Sequence, residues 1–134
     1  MKTIFSIGIL CLGLLFSHVS LGQTQAEINQ NAYNDYLRAD KQLNTVYTAV
    51  LKKYKSDLVF VKNLRNAQRI WIQFRDAEML AKYPERPVGQ YGSIQPMCWH
   101  IYLQELTEER TAKLKLWLSG TVEGDVCAGS VLVN

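Results

Sequence analysis

Apolar and aromatic residues recur at gaps of three and four along most of the chain, a spacing typical of amphipathic helices. This periodicity predicts three helices, at about 25–54, 57–82 and 94–118. No segment alternates between apolar and polar residues, so we expect no sheet. Short joints between helices of this length favour an elongated antiparallel three-helix bundle, and the fold class is therefore all-α.

Residues that start and stop helices stand at the ends of these segments. Thr24–Glu27 forms a Thr-x-x-Glu capping box before the first helix, and Ser56-Asp57 supplies a turn and an N-cap for the second. Pro84 ends the second helix, because the residue before a proline is displaced from the helical region. Ser93 is the predicted N-cap of the third helix, and Gly120 fits its C-cap.

The second helix carries an apolar stripe that we expect to face the core. Its members recur every three or four positions and are Phe60, Leu64, Ala67, Trp71, Phe74, Ala77 and Ala81. The aromatic residues of the three helices are at helical spacings, which favours core packing over a ligand surface. Residues 119–134 lack a helical period, and we interpret them as an extended C-terminal tail.

The first 22 residues have the pattern of a secretory signal peptide. Lys2 supplies a positive start, residues 3–19 are mostly apolar, and Ser20 and Gly22 place small residues at the −3 and −1 positions of a cleavage site. The apolar run is short for a membrane span, and no basic flank follows it. We therefore expect an exported protein, periplasmic or extracellular, with no stable membrane anchor after cleavage and a helical domain at 23–118.

Composition narrows the class without naming a function. The 134 residues are 48% hydrophobic and 20% charged, which is typical of one modest globular domain rather than of disorder. The formal charge of +3 is too small to indicate nucleic-acid binding. Without residues 1–22 the charge falls to about +2, because Lys2 is lost, and His100 is the one remaining histidine.

Two cysteines, Cys98 and Cys127, remain after removal of the leader. In an exported chain they could form one disulfide. Cys98 lies near the start of the third helix, roughly 30 Å from its end at a rise of 1.5 Å per residue. The bond therefore requires the tail to run back almost straight along that helix, and the sequence leaves the bonded and the free states open.

Six polar residues border the apolar faces of the helices. They are Asp40, Asn44, Gln68, Arg75, Thr107 and Arg110. Polar residues in such places usually form hydrogen bonds between helices, because buried polar groups need partners. We predict a structural polar network in which Arg75 or Arg110 pairs with Asp40 or Asp76, and keep a binding site as the alternative.

Four motifs in order resemble one family of exported bacterial proteins. They are Asp-Lys-Gln-Leu-Asn-Thr-Val-Tyr at 40–47, Ala-Gln-Arg-Ile-Trp-Ile-Gln-Phe-Arg-Asp-Ala at 67–77, Gly-Ser at 92–93, and Leu-Thr-Glu-Glu-Arg at 106–110 followed by Leu114. Over about residues 25–118 the chain resembles the N-terminal domain family of the lysozyme inhibitor LprI. The resemblance implies an exported helical protein, and at least one member is linked to lysozyme inhibition. Many relatives carry cysteines where this chain has Asn31 and Met79.

The loop between the second and third helices is the best candidate for partner binding. It is long for a helix–helix joint and contains Arg86, Gln90, Tyr91 and Ser93. Irregular loops held by rigid helices often bind partners, although a plain connector is the alternative. If the partner is lysozyme, the carboxylates of its cleft favour a cationic probe such as Arg86.

The sequence thus predicts a secreted or periplasmic helical binding module, with lysozyme inhibition implied by the resemblance. The alternative is a structural or envelope-interaction protein with no lysozyme target. We expect no catalytic residues, no cofactor, no metal site and no nucleic-acid partner. A lone histidine does not make a zinc site, and the glutamates at 105, 108 and 109 are best explained as a solvated helix face.

Overall fold

The computed structural model describes residues 23–133, and the predicted leader at 1–22 lies outside that range. Three helices form, α1 (Gln25–Lys53), α2 (Leu58–Lys82) and α3 (Gln95–Ser119). No strand lies within 23–133. The all-α three-helix prediction is confirmed, and every helix boundary falls within one residue of its predicted position.

The predicted caps of the first two helices are confirmed. The Thr24 hydroxyl accepts a hydrogen bond from the backbone N–H of Glu27 at 3.2 Å, and the Glu27 carboxylate accepts from the backbone N–H of Thr24 at 2.8 Å. The Asp57 carboxylate accepts from the backbone N–H of Phe60 at 2.9 Å. Each cap satisfies N–H groups that the first helical turn leaves free.

The predicted N-cap of the third helix is wrong, whereas its predicted C-cap, Gly120, is confirmed. Ile94 is the N-cap of α3, and no side chain caps it. Pro96 lies in the first turn and has no N–H, so one of the donors that a cap would serve is absent. Ser93 instead contributes its backbone carbonyl, which accepts a hydrogen bond from the side-chain amide of Asn29 at 3.1 Å.

Helices α1 and α3 run parallel to each other. The contact of Asn29 with Ser93 joins their N-terminal ends, and the Tyr54 hydroxyl donates to the Trp117 carbonyl at their C-terminal ends, at 3.1 Å. Small buried residues lie along this pair, and they are Ala32, Ala39, Thr107 and Thr111. Because these side chains are small, the two helix backbones approach closely.

Helix α2 runs antiparallel to the other two. Its start lies beside the end of α3, where the rings of Phe60 and Trp117 are 6.0 Å apart, and just beyond its end Tyr83 lies 5.7 Å from Trp99. The buried core joins all three helices and consists of Leu43, Val46, Val50, Tyr54, Leu64 and Leu114. The bundle is therefore up-down-up, with α1 and α3 as its closest pair.

The predicted buried stripe of α2 is wrong at Ala67 and from Phe74 onward. Phe74 is 55% exposed, and Ala67, Ala77 and Ala81 are exposed as well. The residues that α2 buries are Leu64, Gln68 and Met79, with Trp71 and Arg75 partly buried beside them. The helix is rotated about its axis relative to the prediction, and Gln68, which accepts a hydrogen bond from Arg110 of α3, lies on its inward face.

The tail is not extended as predicted. It folds into consecutive turns beside the end of α3, with Gly124 and Gly129 at positive φ, and a bridge pairs Thr121 with Val133. The Tyr54 hydroxyl accepts a hydrogen bond from the backbone N–H of Leu132 at 3.0 Å. This buried tyrosine therefore connects α1, α3 and the tail.

The tail's path also decides the state of the cysteines. Cys98 and Cys127 are both free. Cys98 is in the first turn of α3, while Cys127 lies in the turns at the opposite end, roughly 30 Å of helix away at a rise of 1.5 Å per residue. The disulfide left open by the sequence is not formed, because the tail does not run back along α3.

Candidate functional site

The loop between α2 and α3 is anchored by aromatic residues at its base. The Tyr91 hydroxyl donates a hydrogen bond to the Pro84 carbonyl at 2.9 Å, which joins the two ends of the loop. The Tyr91 ring meets Tyr83 edge-on at 6.0 Å, and Tyr83 in turn packs on Trp99 of α3. Burial is the main cause that raises the pKa of Tyr83, with smaller contributions from Cys98 and nearby acidic groups. The loop base is thus part of the folded bundle.

Two successive turns fix the backbone above this base. The N–H of Gln90 donates to the Pro87 carbonyl, and the N–H of Gly92 donates to the Gly89 carbonyl, both at 3.1 Å. Gly89 has φ of 87°, a conformation that residues with a side chain rarely adopt. The loop therefore has a defined shape before it meets any partner.

The four predicted loop residues have different roles in this shape. Arg86 and Gln90 are exposed, and within residues 23–133 the Arg86 side chain has no hydrogen bond or ion pair. Tyr91 is an anchor, and Ser93 contributes its carbonyl to the contact with α1. A shallow polar depression of about 270 Å³ lies along the loop.

Sequence reasoning missed one exposed loop residue, Val88, which is fully exposed within the first of the two turns. An apolar residue between Pro87 and Gly89, with no helical period around it, is the signal that could have identified it. It adds an apolar contact point next to Arg86.

The six predicted network residues do not come together as one cluster in the described chain. Arg110 Nε donates to Gln68 Oε1 at 3.0 Å, and this is the bond among them that joins two helices. Arg75 pairs with Asp76 at 2.8 Å, which confirms the predicted partner, although the two are neighbours in α2. Arg75 also lies 5.4 Å from the centroid of the Trp71 ring.

The remaining members bond within their own helices. The Asn44 amide donates to both the backbone carbonyl and the carboxylate of Asp40 at 3.0 Å. Thr107 is fully buried, and its hydroxyl donates to the Leu103 carbonyl at 2.7 Å. These residues therefore satisfy their own polar groups locally rather than holding the helices in register.

A polar contact between α2 and α3 was not predicted. The Tyr102 hydroxyl donates to Glu78 Oε1 at 2.9 Å, and Lys82 Nζ lies 3.3 Å from the centroid of the Tyr102 ring. The hydrogen bond to Glu78 is the main cause that raises the pKa of Tyr102, followed by burial. The two partners are 24 residues apart, so no local pattern marks them as a pair.

His100 lies between two tyrosine rings of α1. The ring centroids are 5.0 Å from Tyr33 and 6.3 Å from Tyr36, and His100 Nδ1 is buried without a hydrogen bond in the described chain. Over residues 23–133, no three His, Cys, Asp or Glu residues are grouped as metal ligands. A search of the same residues found no helix with the length and apolar character that a membrane span needs.

The fold and the loop define the class as an all-α three-helix protein with a fixed proline–glycine loop at one end. The chain belongs to the family of the lysozyme inhibitor LprI, whose model matches residues 19–114. It is also 35% identical to an uncharacterized protein of Rhizobium meliloti (strain 1021), over 69% of this chain and 72% of the relative. No solved structure matches the chain.

Proposed function

We propose that the protein is an exported helical binding module that inhibits lysozyme. The observation that carries the proposal is the match of the lysozyme inhibitor LprI family to residues 19–114. That range includes α1, α2, the loop and most of α3. The signal-peptide pattern at residues 1–22 supports export.

The surface that we assign to lysozyme binding is the loop at 84–93. Lysozyme cleaves its substrate between two carboxyl groups in a cleft. An exposed guanidinium without an internal partner, as on Arg86, is suited to charge-assisted hydrogen bonds with such carboxylates. Val88 adds exposed apolar area, and the fixed turns reduce the conformational entropy that binding removes.

Because the net charge is small, recognition of lysozyme depends on short-range contacts. The formal charge of the full chain is +3, which provides no long-range attraction toward a basic enzyme. Inhibition by this protein therefore depends on the few loop residues that enter the cleft.

The first experiment is a titration of the purified, exported protein into an assay of bacterial cell lysis by lysozymes of several types. We expect stoichiometric suppression of lysis by at least one type. Circular dichroism on the same sample verifies that the helices are folded. No effect on any lysozyme type by folded protein would reject the proposal and favour the alternative, a structural or envelope-interaction protein.

The second experiment tests the loop. We expect Arg86→Ala to weaken inhibition by at least about 10-fold, because hot-spot residues in interfaces contribute more than about 1.4 kcal/mol each. Arg65→Ala is the matched control, since Arg65 is an exposed arginine of α2 outside the loop. Equal inhibition by the two variants would reject the loop as the binding surface while leaving inhibition itself intact.

A further inference from the structure

A groove lies at the end of the bundle opposite the loop. It runs between the first half of α2 and the second half of α3, and the tail closes one side. Its volume is about 450 Å³, within the range of small-molecule sites. Its apolar walls include Val59, Phe60, Leu64 and Trp117.

One positive charge, Arg110, enters this apolar groove. Among the residues that line the groove, Arg110 is the sole cation. Its Nε donates to Gln68 Oε1 at 3.0 Å, and this neutral amide is its one hydrogen-bond partner among residues 23–133. A guanidinium has five N–H donors in a planar fork, so most of its donors are left for a ligand.

The environment of Arg110 makes an anionic ligand favourable. Burial lowers the pKa of its guanidinium below the ordinary value, and nearby Tyr47 has a smaller effect in the opposite direction. Arginine nevertheless remains charged in proteins, so the desolvation is not relieved by loss of a proton. No carboxylate lies within salt-bridge distance of Arg110 in the described chain. An anion brought by a ligand would supply the missing partner.

The far end of the groove differs in chemistry. Trp117 is held there, because its indole N–H donates to the Ser130 hydroxyl at 2.9 Å. Asp57 is the acidic residue of the lining, and its carboxylate already accepts a hydrogen bond from the backbone N–H of Phe60. Asp57 and Gln68 are separated by roughly 16 Å of helix at 1.5 Å per residue, so Asp57 does not neutralise the Arg110 end.

We propose that the groove binds a small amphipathic carboxylate, an alkanoic acid whose carboxylate pairs with Arg110 and whose chain lies along Phe60, Leu64 and Trp117. A single arginine matches one monoanionic carboxylate in fork geometry. The apolar walls, on which no second cation lies, exclude water from the chain of the ligand. This groove is distinct from the loop proposed to bind lysozyme. That loop begins after the end of α2, roughly 22 Å of helix beyond Gln68 at 1.5 Å per residue.

The test uses decanoate and decanol, two probes with the same chain and different head groups. Calorimetric titration of the folded protein measures both affinities. We expect decanoate to bind with one-to-one stoichiometry and at least about 10-fold more tightly than decanol, a difference of 1.4 kcal/mol for the charged contact. Equal affinities for the two probes, or no binding of decanoate, would overturn the proposal without any variant.

Variants locate the site. We expect Arg110→Gln to reduce decanoate affinity to that of decanol, whereas Arg65→Gln, on the exposed surface of α2, leaves both unchanged. Ala67 lines the groove and is exposed, so Ala67→Leu fills the groove without displacing core residues and should abolish binding of both probes. Unchanged decanoate binding to Ala67→Leu would place the ligand elsewhere and overturn the assignment.

A lysozyme assay keeps the two proposals separate. We expect Arg110→Gln to inhibit lysozyme as the wild type does, because Arg110 is remote from the loop. If Arg110→Gln lost inhibition and the wild-type protein did not bind decanoate, Arg110 would engage a carboxylate of the protein partner. That outcome would reject the alkanoic acid.

Discussion

At the scale of single residues, two threonines of α3 lie among the most buried side chains of the described chain. Thr107 and Thr111 are 0% and 4% exposed. Each hydroxyl donates to a carbonyl one turn earlier in the same helix, at 2.7 Å and 2.8 Å. Because these polar groups are satisfied locally, threonine is tolerated in an interface where its small size lets α1 and α3 approach closely.

This arrangement predicts that the size of residue 107 matters more than its hydroxyl. We expect Thr107→Val to change the free energy of unfolding by less than about 1 kcal/mol, since the shape is kept and the Leu103 carbonyl retains its place in the helix. Thr107→Leu should destabilise the protein by about 1–3 kcal/mol through overpacking. Urea unfolding of both variants measures the difference. A loss for Thr107→Val as large as for Thr107→Leu would assign the hydroxyl a greater role.

The sequence predicted correctly the contacts between residues that are close together in the chain. The caps at Thr24 and Asp57 join residues three apart, so a short pattern contains both partners. The bond of Gln68 to Arg110 joins residues 42 apart, and a single sequence does not encode which distant residue will be the partner. The sequence identifies Arg86 as a candidate because the prolines and glycines around it mark a loop. It does not show which groups of a partner Arg86 contacts.

At the scale of elements, α2 has two candidate apolar stripes, and only tertiary contacts decide between them. The predicted stripe continues from Leu64 and Trp71 to Phe74 and Ala81, whereas the other continues from the same two residues to Met79. Helical periodicity describes both equally well, which is why the predicted face was wrong in its second half. The structure buries Leu64 and Met79, partly buries Trp71 and leaves Phe74 exposed.

The exposed position of Phe74 leads to a paired prediction for core and surface. Phe74 is 55% exposed and Leu114 is 0% exposed. We expect Leu114→Ala to lower the free energy of unfolding by about 2–5 kcal/mol because it leaves a cavity among all three helices. Phe74→Ala should lower it by less than about 1 kcal/mol, since little packing is lost. Comparable losses in the two variants, measured by the same urea unfolding, would contradict the assigned face of α2.

At the scale of the whole molecule, the helical bundle could be predicted and the path of the tail could not. The lengths of the helices restrict three of them to few arrangements, so periodicity sufficed for the bundle. The tail has no period, and its path depends on long-range contacts such as that of Leu132 with Tyr54, which are 78 residues apart. Those contacts keep Cys127 at the far end of the molecule from Cys98.

The molecule's tyrosines predict how its stability responds to alkaline pH. Burial, followed by the charge of Asp40, raises the pKa of Tyr36, and the hydrogen bond to Glu78 raises that of Tyr102. The folded state therefore holds these protons to higher pH than the unfolded chain does. Their stabilising contribution is complete below the unfolded pKa of about 10 and is lost as pH rises through the folded values.

We therefore expect the free energy of unfolding to decline with increasing pH above about 10. Absorbance at the phenolate band should show some tyrosines ionising at higher pH in the folded protein than in the denatured one. Tyr102→Phe is the informative variant, because it removes the proton that Glu78 holds and should make the alkaline decline shallower. If folded and denatured samples titrated together, or if Tyr102→Phe left the decline unchanged, the bond between Tyr102 and Glu78 would not contribute to stability as the geometry requires.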